Sequence, residues 1–311
     1  PSSRRRPAAS RRRPSRRRTP RVFRAAVIAA LVLAISAGLA ETASAEQEPV
    51  WHWNIFGTCG TVAGRQGNCG GTRNISPQSQ PTDVIVASVA GAGASKPWVI
   101  TLNEVCGRQF SDLFLRLAPA PYGYILRFAK SNGWAGVPSG SQFDHVNCGE
   151  GTGGLGGEFG NAVLMLGWDQ SYPSDYYYPG QAPDVDQRVF SCLRVATFFG
   201  YRRGCVTHLN PGEGQETYAK NAFDLHILTG DKVILGADRN TTNWGVFGSF
   251  PEVDTASPKL RTFYNGNPDK KYDWVFGGPG HGTVAGTWRY CSPNSVTPTS
   301  DHCMLLGRFN I

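Results

Sequence analysis

No two cysteines in this chain stand in the C-x-x-C spacing, which argues against the common zinc ribbons and fingers. No repeat recurs and no heptad is sustained, so solenoids, propellers and coiled coils are set aside. Only one long apolar run is present, near the start, so nothing suggests a bundle of membrane spans. Charge is scarce, at 17% of residues, and acid is missing altogether from the first 24 positions. Those 24 positions instead carry eleven arginines, nine of them in three triplets.

The apolar run Ala25 to Ala40 follows the arginines, and Ala43-Ser44-Ala45 follows the run. A basic region, an apolar region and a small-residue site in that order read as a secretory signal peptide over 1–45. The run is shorter than the ~20 residues that span a bilayer comfortably. Arg16-Arg17-Arg18 leaves Sec and twin-arginine export both open. Without 1–45, 20 basic and 22 acidic residues remain, a net charge of −2. The whole-chain net charge of +8 therefore comes from the leader, and overall charge lends no support to nucleic-acid binding.

The remaining 266 residues suit one large domain over 46–311. All eight cysteines lie there, and export would oxidise them. Eight cysteines allow 105 pairings. Pairing neighbours in order gives 59–69, 106–148, 192–205 and 291–303. Cys192–Cys205 is best supported, because it would join adjacent strands across a short hairpin.

Strands are expected at Val50 to Phe56, Trp98 to Val105, Tyr122 to Phe128 and Asn161 to Leu166. More follow at Arg188 to Phe198, Arg203 to Leu209, Lys232 to Asp238, Leu260 to Tyr264, Tyr272 to Phe276, Thr283 to Tyr290 and Cys303 to Phe309. Helices fit Asp83 to Ala94, Phe110 to Leu117 and Glu213 to Leu228. Residues 57–81, 130–160 and 169–186 read as loops, the last rich in Tyr and Pro. Many strands, several fully apolar, with few helices point to an α/β (α+β) four-layer sandwich. Two stacked mixed sheets would be flanked by helices on their outer faces. A doubly wound sheet or an all-β sandwich fits less well, since helices occur but not after each strand.

Polar residues stand at the ends of these strands: Asn54, Glu104, His208, Asp238, Asn240, Asp273, Asp301 and His302. Strand ends are rigid, so their side chains can converge on one cleft. Singly, each has a plainer role. Glu104 suits a surface carboxylate, His208 a packed histidine, Asp238 and Asn240 turn formers, and Asp301 a helix or turn cap. Their joint order is more specific. Trp53-Asn54, Leu102-Asn103-Glu104-Val105, Thr207-His208-Leu209, Gly236-Ala237-Asp238-Arg239-Asn240, Tyr272-Asp273-Trp274-Val275-Phe276 and Ser300-Asp301-His302 together resemble the endonuclease/exonuclease/phosphatase superfamily. That superfamily includes DNase I-like nucleases, neutral sphingomyelinases and inositol-phosphate phosphatases. Ala237 replaces a second glycine of its pattern. Arg239 replaces an apolar residue; it would face the substrate phosphate or solvent, and solvent is the expectation.

The resemblance implies a DNase I-like fold and a divalent-metal-dependent phosphoric ester hydrolase. It implies metal binding by Glu104, Asn54 and Asp301, with Mg²⁺, or Mn²⁺ or Ca²⁺, as the ion. It implies His302 as general base, oriented by Asp273, and Asp238 as the group that orients or activates water. Asn240 and His208 would hydrogen-bond the phosphoryl group or leaving oxygen. The remaining histidines, His52, His145, His226 and His281, match no motif and are expected to pack or face solvent. The expected substrate is DNA or RNA, touched by Trp134, Arg188, Arg194 or Tyr176 to Tyr178. Phospholipid is an alternative, needing an exposed aromatic loop near Tyr172 to Tyr178. A small-molecule phosphatase and a non-enzymatic binding domain are further alternatives. The expected product is a secreted monomer with no stable protein partner.

Overall fold

The computed structural model describes residues 47–55, 61–62, 65–66, 81–131, 159–168, 170–179, 188–198, 200–210, 214–242, 245–254, 262, 270–283, 288–290, 300 and 302–310. By contacts the chain divides into Pro1–Ala45 and Glu46–Ile311, and every described residue lies in the second unit. The leader expected over 1–45 and the strongest part of the Gly-rich loop lie outside the described residues.

Apolar alternation builds the strands. The first is β1 (Gln47–Asn54), followed by a small hairpin of β2 (Thr61–Val62) and β3 (Arg65–Gln66). Helix α1 (Pro81–Ala92) precedes β4 (Val99–Cys106), and helix α2 (Gly107–Leu117) follows it directly. Then come β5 (Tyr124–Lys130), β6 (Phe159–Leu166), β7 (Gln170–Tyr177), β8 (Val189–Thr197) and β9 (Gly200–His208). Helix α3 (Gln215–Ile227) leads to β10 (Lys232–Asp238) and β11 (Asp273–Gly277). Short β12 (Gly282–Thr283) and β13 (Trp288–Tyr290) precede the last strand, β14 (Met304–Asn310).

Two sheets result. One runs β12-β14-β1-β4-β6-β5, with β13 also on β14; the other runs β11-β10-β9-β8-β7. Both are mixed: β1 is parallel to β4, β9 is parallel to β10, and their other neighbours are antiparallel.

Three apolar cores stack as the sequence pattern demands. Trp51, Trp53, Ile100 and Leu102 face Ile85 and Val89 of α1 and Leu113 and Leu117 of α2. Val50, Val99, Val163, Val206, Ile234, Val275 and Leu305 meet between the sheets. Cys205, Leu235, Trp274 and Phe276 face Ala219, Ala222 and Phe223 of α3. Adjacent residues of one strand thus enter different cores, which is the period-two alternation of a strand buried on both faces. The architecture is the expected four-layer sandwich, helices outside and sheets within.

Three readings change. The segment 57–81, expected as a loop, contains the short hairpin of β2 and β3. The Tyr/Pro segment taken as a loop contains β7, an edge strand paired with β8. Its turn-forming composition obscures it. Pro173 cannot donate to a ladder, and it falls where the register shifts between Ser171 and Ser174 on the sheet edge. Of the strand expected over Thr283 to Tyr290, Thr283 lies in β12 and Trp288–Tyr290 form β13, both paired with β14, and residues 284–287 lie outside the described residues. Thr262, within the strand expected at Leu260 to Tyr264, belongs to no strand, and its neighbours are outside the described residues.

Cys192 and Cys205 are cross-strand partners on β8 and β9 and are disulfide-bonded, as expected. Cys106 and Cys303 each form a disulfide as well. The three other expected pairings each include a residue outside the described set.

Candidate active site

The four parallel strands end side by side. Asn54 pairs in register with Asn103, and Asp238 pairs with both His208 and Asp273. Asn54, His208, Asp238 and Asp273 lie on the strand faces that meet between the sheets, two or four residues beyond apolar positions of that same core. The sandwich therefore carries a polar mouth at one end of an apolar interior.

Glu104 needs a special device to join them. Simple alternation would turn it away from Asn103. In β4, however, Asn103 and Glu104 together oppose the single Asn161 of β6, which is a β-bulge. Glu104 adopts φ +56°, a conformation costly for a residue with a Cβ. The bulge lets two consecutive side chains serve the mouth. Asn103 donates to Asn161 Oδ1 at 2.8 Å and to the Thr207 carbonyl at 3.0 Å, and its Oδ1 accepts from the Asp238 amide at 3.1 Å. Asn103 thereby ties the two sheets together under the site. Glu104 accepts from Asn54 Nδ2 at 3.1 Å.

Asn54 Nδ2 also donates to Asp238 Oδ2 at 2.8 Å, so one amide bridges two carboxylates. Beyond β10, Asn240 has φ +51° and its amide donates to Asp238 Oδ1 at 2.9 Å. This is an Asx turn, and asparagine tolerates the left-handed conformation better than most residues. Asn240 Nδ2 lies 2.9 Å from His208 Nε2 and donates to the Leu209 carbonyl at 2.9 Å. Arg188 donates to His208 Nδ1 and, through Nε, to Asn210 Oδ1 at 3.0 Å.

On the other side, His302 Nδ1 sits 2.7 Å from Asp273 Oδ2. Its Nε2 faces Asp238 Oδ2 at 3.7 Å. Ser300 fixes this arm: its hydroxyl donates to the Asn54 carbonyl at 2.6 Å and accepts the His302 amide at 3.1 Å. Trp53 Nε1 donates to the His302 carbonyl at 2.9 Å.

Burial dominates the electrostatics. It raises the Glu104 carboxyl to about 7, against the opposing pull of Arg188 and the Asn54 hydrogen bond. It also raises Asp238, despite the attraction of His302. Burial pushes Asp273 upward too, but its pairing with His302 and His52 outweighs this and leaves it below the usual carboxylate range. Burial, then the Arg188 charge, hold His208 well below its ordinary value, so it is neutral near pH 7.

At the mouth, two groups have ligand-type atoms within 4.8 Å of one another: Glu104, His208 and Asp238; and Asp238, Asp273 and His302. A third group elsewhere, Cys192, Cys205 and His226, has its two cysteines joined as a disulfide. The donor set fits a divalent cation. Glu104 and Asp238 are hard oxygen donors brought close together at a buried mouth, and it is burial that raises both carboxyls.

Of the expected site residues, Asn54, Glu104, His208, Asp238, Asn240, Asp273 and His302 converge. Asp301 lies outside the described residues. Arg239 does not face solvent: it is fully buried, paired with Glu216 at 2.7 Å and lying over the rings of Phe247, Trp274 and Phe276. It follows Asp238 but points into the outer core, where aromatic faces and one carboxylate replace water around the guanidinium. His52 was passed over and lies directly beneath the site, its Nε2 3.4 Å from Asp273 Oδ1. The available signal was its place two residues before Asn54, hence on the same strand face.

No family model and no curated protein matches the chain by sequence. Solved structures match it by shape. A D. rerio TDP2 complexed with single-strand DNA product is 13% identical, with 86% of this chain and 100% of that chain covered, at TM-score 0.53. The human Nocturnin catalytic domain with bound sulfate anion is 16% identical, covering 85% and 94%, at TM-score 0.54. An endonuclease/exonuclease/phosphatase protein from Bacteroides vulgatus is 12% identical, covering 86% and 99%, at TM-score 0.53. The chain has the DNase I-like fold shared by endonuclease/exonuclease/phosphatase proteins, and its polar mouth lies at the ends of that fold's central strands.

Proposed function

We propose that this chain is a secreted, divalent-metal-dependent phosphodiester hydrolase acting on nucleic acid. The observation that carries the proposal is the His302–Asp273 pair set against Glu104, Asp238 and His208 at one strand-end mouth. A phosphodiester is anionic and needs an activated water, charge neutralisation and a stabilised leaving oxygen.

The residues that would hold the cation are Glu104 and Asn54, with Asp301, and when bound it would act as a Lewis acid on the phosphoryl group; Mg²⁺ is the leading candidate, with Mn²⁺ or Ca²⁺ as alternatives. His302 takes a proton from water at Nε2, because Asp273 holds the other ring nitrogen as a donor. Asp238 orients that water. Asn240 and neutral His208 hydrogen-bond the phosphoryl oxygens or the leaving oxygen. Arg188, fixed beside His208, adds positive charge where the substrate is negative.

Nucleic acid is favoured over lipid by two observations. A structural relative is complexed with a single-strand DNA product. The aromatic segment that lipid contact required is largely the strand β7, where Tyr177 is exposed but Tyr178 beside it is buried, so it offers no continuous aromatic loop. The Arg-rich start, the apolar run after it and the oxidised state of every cysteine among the described residues support export.

The test is hydrolysis by the purified protein with Mg²⁺, with and without EDTA, on plasmid DNA, RNA and sphingomyelin vesicles. EDTA-sensitive cleavage of DNA or RNA is expected. Cleavage of the vesicles alone overturns the substrate assignment, and no metal-dependent cleavage of any of the three overturns the proposal.

A further inference from the structure

Asp273 has two oxygens and two imidazole neighbours. His302 holds Oδ2 from the mouth, and His52 stands 3.4 Å from Oδ1 from below. His52 and Asp273 are fully buried. His52 Nε2 and Asp273 Oδ1 make no formed hydrogen bond among the described residues; the 3.4 Å between them is a long polar contact. Buried polar atoms are rarely left unmatched, so these two face each other for a reason.

The layer beneath the site is built to admit this histidine. His52 Nδ1 lies 2.9 Å from Thr101 Oγ1, on the neighbouring strand β4. Across the sandwich, Gly236 leaves the space empty. A Cβ there would fall 2.6 Å from His52 Nδ1 and closer still to Thr101 Oγ1. Proton bookkeeping fixes the tautomer. A carboxylate oxygen only accepts, so the favourable arrangement puts the ring proton on His52 Nε2. Thr101 must then donate to Nδ1, which its 2.9 Å separation favours over the 3.3 Å contact with the Trp51 carbonyl. The backbone of Asp273 is held independently, since Thr262 Oγ1 accepts its amide at 2.9 Å. Backbone and main-chain register thus leave only the carboxylate's rotation to be set.

We propose that His52 is a positioning residue for the site, a second imidazole that clamps the free oxygen of Asp273 and fixes the orientation of His302. The clamp rests on the hydrolase reading for its consequence in turnover but not for its geometry. His52 does not touch substrate. It acts through Asp273, as outer-layer partners of catalytic histidines generally do.

Two substitutions separate this role from plain packing. Glutamine places its amide nitrogen near the position of imidazole Nε2, whereas asparagine reaches only as far as Nδ1. His52→Gln should keep the Asp273 contact; His52→Asn should keep Thr101 and lose Asp273. The first readout is the His302 Nδ1 proton by NMR without metal or substrate, assigned by its loss in His302→Ala. It should stay sharp in His52→Gln and broaden or vanish in His52→Asn. The second readout is kinetic: kcat about 10–100-fold lower in His52→Asn with KM within about twofold, and His52→Gln within about threefold of wild type. Thr101→Val, which removes the donor to Nδ1 at nearly constant volume, should give an intermediate loss. The same NMR signal and equal kcat in the asparagine and glutamine variants, both folded by thermal melt, overturn the clamp. If no substrate is ever cleaved, the hydrolase reading fails while the NMR comparison still decides the clamp.

Discussion

Glu104 concentrates the cost of the site in one residue. It is largely buried, lies at positive φ and carries a carboxyl raised from 4.5 to about 7. A group whose folded value exceeds its unfolded value stabilises the fold fully below the unfolded value. That contribution disappears as pH rises through the folded value. In metal-free protein Glu104 should therefore weaken the fold progressively between pH 4.5 and about 7. The full loss is about 3 kcal/mol, from the size of the shift. Glu104→Gln should melt higher than wild type at pH 8 without metal, and the gap should close near pH 4.5. Added Mg²⁺ should raise the wild-type melt and leave Glu104→Gln almost unmoved. An equal rise in melting with Mg²⁺ in both proteins would remove Glu104 from the cation's shell.

The two histidines at the mouth should separate by role. His302→Ala should lower kcat by about 10²–10⁴-fold, the usual worth of a general base. His208→Ala should lower it by about 10²–10³-fold, as loss of one donor to developing charge does. Both variants should keep the wild-type circular dichroism spectrum. The sequence exposed these residues because each closes an apolar strand with a polar group. It concealed His52, since a histidine between Trp51 and Trp53 reads as aromatic packing. It misdirected Arg239, because nothing local shows that Phe247, Trp274 and Phe276 will enclose the guanidinium.

Among the elements, the bulge in β4 and the bare strand position in β10 matter most. Gly236 faces Thr101 and His52 across the sandwich, while Ala237 faces the outer core, which explains why alanine is accepted at one position and not the other. Gly236→Ala should destabilise the protein by about 1–3 kcal/mol, the common cost of overpacking a tight core. A lowered denaturant midpoint with unchanged slope would show it, and an unchanged midpoint would mean that the layer beneath the site is loosely packed. The strand positions were legible from alternation and apolar runs. The bulge was not, because the pattern Leu102-Asn103-Glu104-Val105 carries no mark of one extra residue opposite Asn161. Strand β7 was hidden for the opposite reason: Pro173, with Ser174 and Asp175 after it, carries turn signals that an edge strand tolerates.

At the scale of the molecule, four layers place every described site residue at one end of the inter-sheet core, so the apolar interior stiffens the mouth. The Cys192–Cys205 bridge ties β8 to β9, the strands that begin beside Arg188 and end on His208. Its sequence separation of 13 residues predicts about 3 kcal/mol of stabilisation from the restricted unfolded chain. Cys192→Ala with Cys205→Ala should lower the unfolding free energy by that order, measured by denaturant titration, while turnover per folded molecule persists. A loss of turnover without loss of stability would instead make the bridge part of the site. Fold class was readable from the order of elements; the substrate was not, because one scaffold serves several phosphoesters.

Crystals of the protein soaked in Mn²⁺ and measured at the manganese edge would locate the cation directly. An anomalous peak within about 2.5 Å of a Glu104 carboxylate oxygen, absent from Glu104→Gln crystals, is the expected result. Full-occupancy manganese bound elsewhere, with none beside Glu104, would contradict the assignment of this mouth as the metal-dependent centre.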